Sequence, residues 1–131
     1  MYNYNITYTD FDGNEKTEKL YFHLTKADML KLDIAKSGKL KDILEAIVAD
    51  GDEAGMLYWF DKIIATAYGQ RTPEGVFVKD QEKTKAFLAS EAYSEFFIKL
   101  ITQEIPANEF ILGILPNEVA NQVATELNNN K

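Results

Sequence analysis

The sequence contains no cysteine in 131 residues, and only one histidine, one tryptophan and three prolines. The missing thiols exclude disulfides, thiol catalysis and thiolate metal sites, and they fit a reducing compartment. With His23 as the single imidazole, carboxylates are the only other ligands a metal could find. No apolar run approaches the roughly 20 residues of a membrane-spanning helix. The opening stretch MYNYNITYTD has neither the basic start nor the apolar core of a secretory signal, so a mature, soluble chain is expected. Basic charge is also short: 14 Lys and Arg stand against 21 Asp and Glu, and the net charge of −7 opposes phosphate backbones and anionic membranes. Nucleic acid and membrane are therefore not expected partners. Neither a Walker A sequence nor GxGxxG occurs, and the seven glycines are dispersed at turns, so nucleotide hydrolysis is not indicated.

What is present suits one domain over residues 1–131, since 46% of the residues are hydrophobic and 12% aromatic. Tyr2, Tyr4, Ile6 and Tyr8 alternate with Asn3, Asn5 and Thr7, the period of a strand with one wetter face. Asp10-Phe11-Asp12-Gly13-Asn14 is turn chemistry, and Glu15 to Leu24 reads as the returning strand. Residues 1–24 are thus a β-hairpin.

The rest, 25–127, reads as helical. Thr25 is placed to cap a helix from Lys26 to Ser37, with Gly38 as its stop. Leu40, Ile43, Leu44, Ile47 and Val48 form the stripe of a second helix, and Met56, Trp59, Phe60, Ile63, Ile64 and Ala67 that of a third. Gly69 then reads as the left-handed residue after the last turn. Asp80 caps a helix through Phe87 and Leu88, and Ser90 caps one carrying Tyr93, Phe96, Phe97, Leu100 and Ile101. Pro106 suits the first turn of a helix with Phe110, Ile111 and Ile114. Pro116 or Asn117 starts a last one with Val119, Val123 and Leu127. Residues 128–131 have nothing to bury and are expected to be a disordered tail. The fold class is α+β, predominantly α: an N-terminal hairpin on a bundle of short helices, with Val76-Phe77-Val78 as a candidate extra strand.

Candidates for chemistry are few. His23 falls on a strand with no nucleophile-elbow sequence near it, and is read as a strand-face histidine. Asp50-Gly51-Asp52-Glu53-Ala54-Gly55 has the acids and glycine of the first half of a calcium loop, with Asp61 at the twelfth position. However, the fifth position is Ala54, and Met56 to Phe60 already carries a helical stripe. It is read as a helix stop followed by an acidic first turn. No catalytic residue, cofactor or metal is assigned. The aromatics Tyr58-Trp59-Phe60 lack the basic groove of a base-stacking surface. Trp59 and Phe60 belong to the core stripe, and Tyr58 lies off it, where an aromatic can meet a protein partner.

The order of motifs from Phe60 onward is more specific than any one of them. Phe60-Asp61-Lys62-Ile63-Ile64-Ala65-Thr66-Ala67-Tyr68-Gly69 leads into Glu74-Gly75-Val76-Phe77-Val78-Lys79, then into Phe87-Leu88-Ala89-Ser90-Glu91-Ala92-Tyr93-Ser94-Glu95-Phe96-Phe97. With Glu109-Phe110-Ile111-Leu112-Gly113-Ile114-Leu115-Pro116 at the end, this resembles the tail assembly chaperones of long-tailed bacteriophages, which are functionally similar to the lambda G and GT proteins. The resemblance covers about half the chain and is looser over Leu24 to Gly38.

What it implies is a protein without catalysis in the cytoplasm of the bacterial host. Such a protein binds the tape measure protein and helps tail tube subunits assemble around it. Self-association is a separate expectation, and the oligomeric state is left open. Client contacts are then expected on aromatics off the core stripes, at Tyr58, Tyr68 and Phe77, and at Tyr93, which lies on a stripe. The alternatives are a minor head or tail protein retained in the virion and a small enzyme using carboxylates with a divalent metal.

Overall fold

A computed structural model describes residues 1–32, 53–121 and 125. The expected helix at Leu40 to Val48, the Gly38 stop, and Asp50, Gly51 and Asp52 of the acidic loop lie outside these residues. So do Val123, Leu127 and the tail at 128–131.

Two strands open the chain, β1 (Tyr2–Thr9) and β2 (Glu15–Phe22), antiparallel and in unbroken register from Tyr2 opposite Phe22 to Thr9 opposite Glu15. Their turn is built by Asp10. Its backbone N–H donates to the Asn14 carbonyl at 2.8 Å, and its Oδ1 accepts from the N–H groups of Asp12 and Asn14. Even-numbered residues of the hairpin face inward. Ile6, Leu20 and Phe22 are buried, while Asn3, Asn5, Thr7 and Thr9 are exposed.

Helix α1 (Lys26–Lys31) begins with a complete capping box. Thr25 accepts from the Asp28 N–H, and the Asp28 carboxylate accepts from the Thr25 N–H. Helix α2 (Glu53–Ala67) buries Phe60, Ile63, Ile64 and Ala67 along its stripe.

The chain then departs from the expected helix stop. Tyr68–Arg71 is a strand, β3, pairing antiparallel with β2 through Tyr21 opposite Gly69 and Phe22 opposite Tyr68. Gly69 is not left-handed. A second tight turn follows, made as the first one is. Thr72 N–H donates to the Val76 carbonyl, the Thr72 hydroxyl accepts from the Val76 N–H, and Gly75 takes the positive φ of 86° that a side chain would disfavour. It returns β4 (Phe77–Val78), within the expected extra strand, and completes a sheet of order β1-β2-β3-β4.

Three helices follow. Asp80 caps α3 (Gln81–Leu88), Ser90 caps α4 (Glu91–Ile101), and Pro106 precedes α5 (Ala107–Ile114), each close to its expected start. A further helical stretch covers 117–121. Helix α4 lies on β1, setting Phe96 against Tyr4 at 5.8 Å between ring centroids. The architecture is α+β and mostly α.

The core meets at Phe22, fully buried, whose ring has five aromatic neighbours. Tyr2 of β1 lies at 6.3 Å, Tyr68 of β3 at 5.9 Å, Phe87 of α3 at 6.1 Å, Phe96 of α4 at 4.9 Å and Phe110 of α5 at 5.5 Å. Burial of one such ring contributes about 2–3 kcal/mol, and aromatic pairs add about 0.5–1.5 kcal/mol each. Directly after it, the N–H of His23 donates to Ala67 and that of Leu24 to Ile114, so the end of β2 is fastened to α2 and α5 as well.

His23 has its Nδ1 buried with no hydrogen-bond partner among the described residues. Burial, then the N-terminal amine and Lys79, hold its pKa below the ordinary 6.5, against an upward pull from Asp28. The unfolded chain therefore binds a proton more readily than the folded one, so stability must fall as pH drops below 6.5 toward the folded value. Denaturant midpoints measured against pH should show this slope in the wild type. It should be absent in His23→Gln, leaving only the loss at more acidic pH from Asp10, Asp28 and Glu118, whose pKa values are lowered.

Candidate functional site

The four aromatics singled out from sequence do not share one surface. Tyr68 is only 7% exposed, because as the first residue of β3 it turns into the core and stacks on Phe87 at 4.0 Å with ring planes 5° apart. Burial raises its hydroxyl pKa, opposed by a weak hydrogen bond from Gln70 at 3.4 Å. Tyr93, half-buried, presents an edge to the same Phe87 at 5.6 Å, and its hydroxyl donates to Asp61 Oδ1 at 2.7 Å. Burial and then that carboxylate push the Tyr93 hydroxyl well above the usual range. These two rings are structural members of a stack, not free faces, and the expectation that Tyr68 lies off the core is corrected by its place on a strand.

Phe77 lies across Gly69. A Cβ at Gly69 would fall 2.3 Å from Cζ of Phe77 and 2.8 Å from the Val78 carbonyl oxygen, so the glycine is there for close approach. The Phe77 ring also meets His23, edge-on at 6.4 Å. Beside it Lys79 bonds to Asp28, pinning the end of β4 to the capping box of α1. Phe77 is half-buried, whereas Val76 and Val78 on either side are exposed.

Only Tyr58 stands clear, 55% exposed on α2. Lys62 one turn on lies over its ring at 4.4 Å and donates to its hydroxyl at 2.7 Å, while Trp59 meets it edge-on at 5.3 Å. Leu57, 51% exposed, adjoins it. The helix thus offers an apolar pair with charges at Asp61 and Lys62 one turn away. Sequence reasoning missed Leu57, although a leucine outside the α2 stripe was the available signal. It also missed Phe11, 78% exposed at the hairpin tip, because the turn around it was accounted for by Asp10 and Gly13 alone.

Open grooves lie among the described residues. One, about 440 Å³, is lined by Ala65, Tyr68, Lys79, Asp80, Thr84 and Lys85. Another, about 470 Å³, is bounded by Tyr2, Tyr4, Glu104, Ile105, Pro106 and Glu109. Neither lining set holds His23, the only imidazole. Among the described residues no group of three or more His, Asp or Glu converges as a metal site would require. No helix among them is long and apolar enough to cross a membrane.

Compared with known proteins, the chain matches the family model described as phage tail assembly chaperone over residues 1–131. The chain belongs to the phage tail assembly chaperone family. No curated protein and no solved structure matches it. For this chaperone the match extends the similarity from about half the chain to all of it, including the β1–β2 hairpin, which carried no family motif of its own.

In this tail assembly chaperone, the Gly69–Phe77 contact is a direct test of how the Tyr68–Lys79 segment is held. Gly69→Ala should destabilise the protein by about 1–3 kcal/mol through overpacking. Adding Phe77→Ala should recover only part of that, because the Val78 carbonyl remains in the way. Denaturant unfolding of the two variants and Phe77→Ala alone reads the difference.

Proposed function

We propose that this chaperone acts without catalysis in the host cytoplasm, binding the tape measure protein of its phage and promoting assembly of tail tube subunits around it. The family match over the whole chain carries this reading. The physical support is the character of the surface. Leu57 and Tyr58 offer apolar contact on a helix, with the partly exposed β3–β4 turn at Val76, Phe77 and Val78 as a second such surface. A net charge of −7 keeps a complex with an apolar client dispersed. Of the four aromatic contact candidates, Tyr58 and Phe77 are assigned to the client face, and Tyr68 and Tyr93 support it from below. The Tyr93–Asp61 hydrogen bond holds α2 against α4 one turn from Tyr58.

Co-expression with the tape measure protein, followed by co-purification, tests this reading. Tyr58→Ala should weaken the complex about tenfold or more, as truncation of an aromatic anchor does, with unfolding of the free chaperone shifted by no more than about 0.5 kcal/mol. Undiminished co-purification of Tyr58→Ala together with Leu57→Ser would remove this face from the client site. In purified mature virions, mass spectrometry should find the chain absent or far below stoichiometry. A stoichiometric amount would instead make it a retained structural protein.

A further inference from the structure

Antiparallel neighbours alternate between pairs that exchange both backbone hydrogen bonds and pairs that exchange none. At the hairpin end, Asp10 N–H donates to the Asn14 carbonyl, one step beyond Thr9 opposite Glu15, so the even-numbered residues of β1 bond to β2. On the far side of β2, His23 N–H donates to Ala67, one step beyond Phe22 opposite Tyr68, so the odd-numbered residues of β2 face β3. Both observations give the same parity. The N–H and C=O groups of Asn3, Asn5, Thr7 and Thr9 therefore point away from β2, along the outer edge of the sheet. Among the described residues none of these groups has a backbone partner, and all four residues are exposed.

Such an edge is normally blunted by lysine, proline, a bulge or shortness. At the opposite edge, β4 has only Phe77 and Val78 and is followed by Lys79. The β1 edge has none of these: it runs from Tyr2 to Thr9 in unbroken register, without proline and without one charged residue, in a chain that is 27% charged.

We propose that β1 pairs antiparallel with β1 of a second copy of this chain about a two-fold axis at Ile6, joining two four-stranded sheets into one. Because the free groups belong to odd residues, odd must face odd. The Ile6-centred register sets Asn5 opposite Thr7 and Asn3 opposite Thr9 of the second copy, which uses every free group in about eight hydrogen bonds. Cross-strand neighbours are then neutral on both faces, Asn beside Thr outside and Tyr4 beside Tyr8 inside. That neutrality is what a self-pairing strand needs in a chain of net charge −7, where most other surfaces would repel their copies. The pairing is independent of which client the protein binds.

Sedimentation equilibrium of the full chain, over a micromolar to millimolar series, reads the outcome. The wild type should show a reversible monomer–dimer equilibrium. Asn5→Glu with Thr7→Glu sets like charges across the joint and should weaken the dimer about tenfold. Asn5→Glu with Thr7→Lys sets opposite charges there and should restore it. Lys19 stands opposite Asn5 within the hairpin, so the acidic substitution meets a favourable neighbour in the monomer.

Asn5→Pro removes an outward N–H without touching the β1–β2 ladder, and should abolish the dimer while leaving the circular dichroism spectrum unchanged. A monomer at every concentration overturns the proposal and leaves the edge to an extended client segment. A dimer indifferent to Asn5→Pro, or one that both double variants weaken equally, overturns it as well.

Discussion

The structure depends on the packing around Phe22. Its ring touches aromatic side chains from β1, β3, α3, α4 and α5, and the two backbone N–H groups that follow it in sequence bond to the ends of α2 and α5. Sheet and helices therefore meet at one residue at the end of one strand. The closest of these contacts, the Phe22–Phe96 stack, joins the strand to the helix that covers β1. In a chain without disulfides, the joint is made by close packing and these hydrogen bonds.

This arrangement explains the glycine- and proline-containing interruption between α2 and α3. The segment from Tyr68 to Lys79 is a small hairpin that extends the sheet, and Tyr68 carries the aromatic stack from Phe22 on to Phe87. Gly69 permits the Phe77 ring to approach the strand backbone closely, and the Lys79–Asp28 ion pair ties the far end to α1. Most of the aromatic residues that distinguish the sequence are spent on this framework. Among the described residues, the large apolar side chains left exposed are few, and they include Leu57 and Tyr58 on α2, Val76 and Val78 at the β3–β4 turn and Phe11 at the hairpin tip.

Local signals were legible in the sequence wherever a few neighbouring residues decide the structure. The alternation of Tyr2 to Tyr8, the capping oxygens of Thr25, Asp80 and Ser90, and Pro106 before α5 each specify an element from within it. Strand β3 was not legible. The apolar stripe of α2 runs to Ala67 with Gly69 just beyond it, which is also how a helix ends, and the partner that makes Tyr68 and Gly69 a strand is Phe22 and Tyr21, far away in sequence. The exposure of Tyr58 could be read because it lies off the stripe of a long helix. The burial of Tyr68 could not, because its direction is set by a long-range ladder. Family membership was legible for the opposite reason, since it rests on the order of motifs and not on where their side chains point.

If Phe22 joins sheet and helices, they open as one cooperative unit. Native-state hydrogen exchange on Phe22→Leu reads this, by comparing amides of β2 with amides of α4 in the variant and the wild type. The opening free energies of both should fall by the same amount, about 1–2 kcal/mol. A loss confined to β2, with α4 as protected as before, would contradict it.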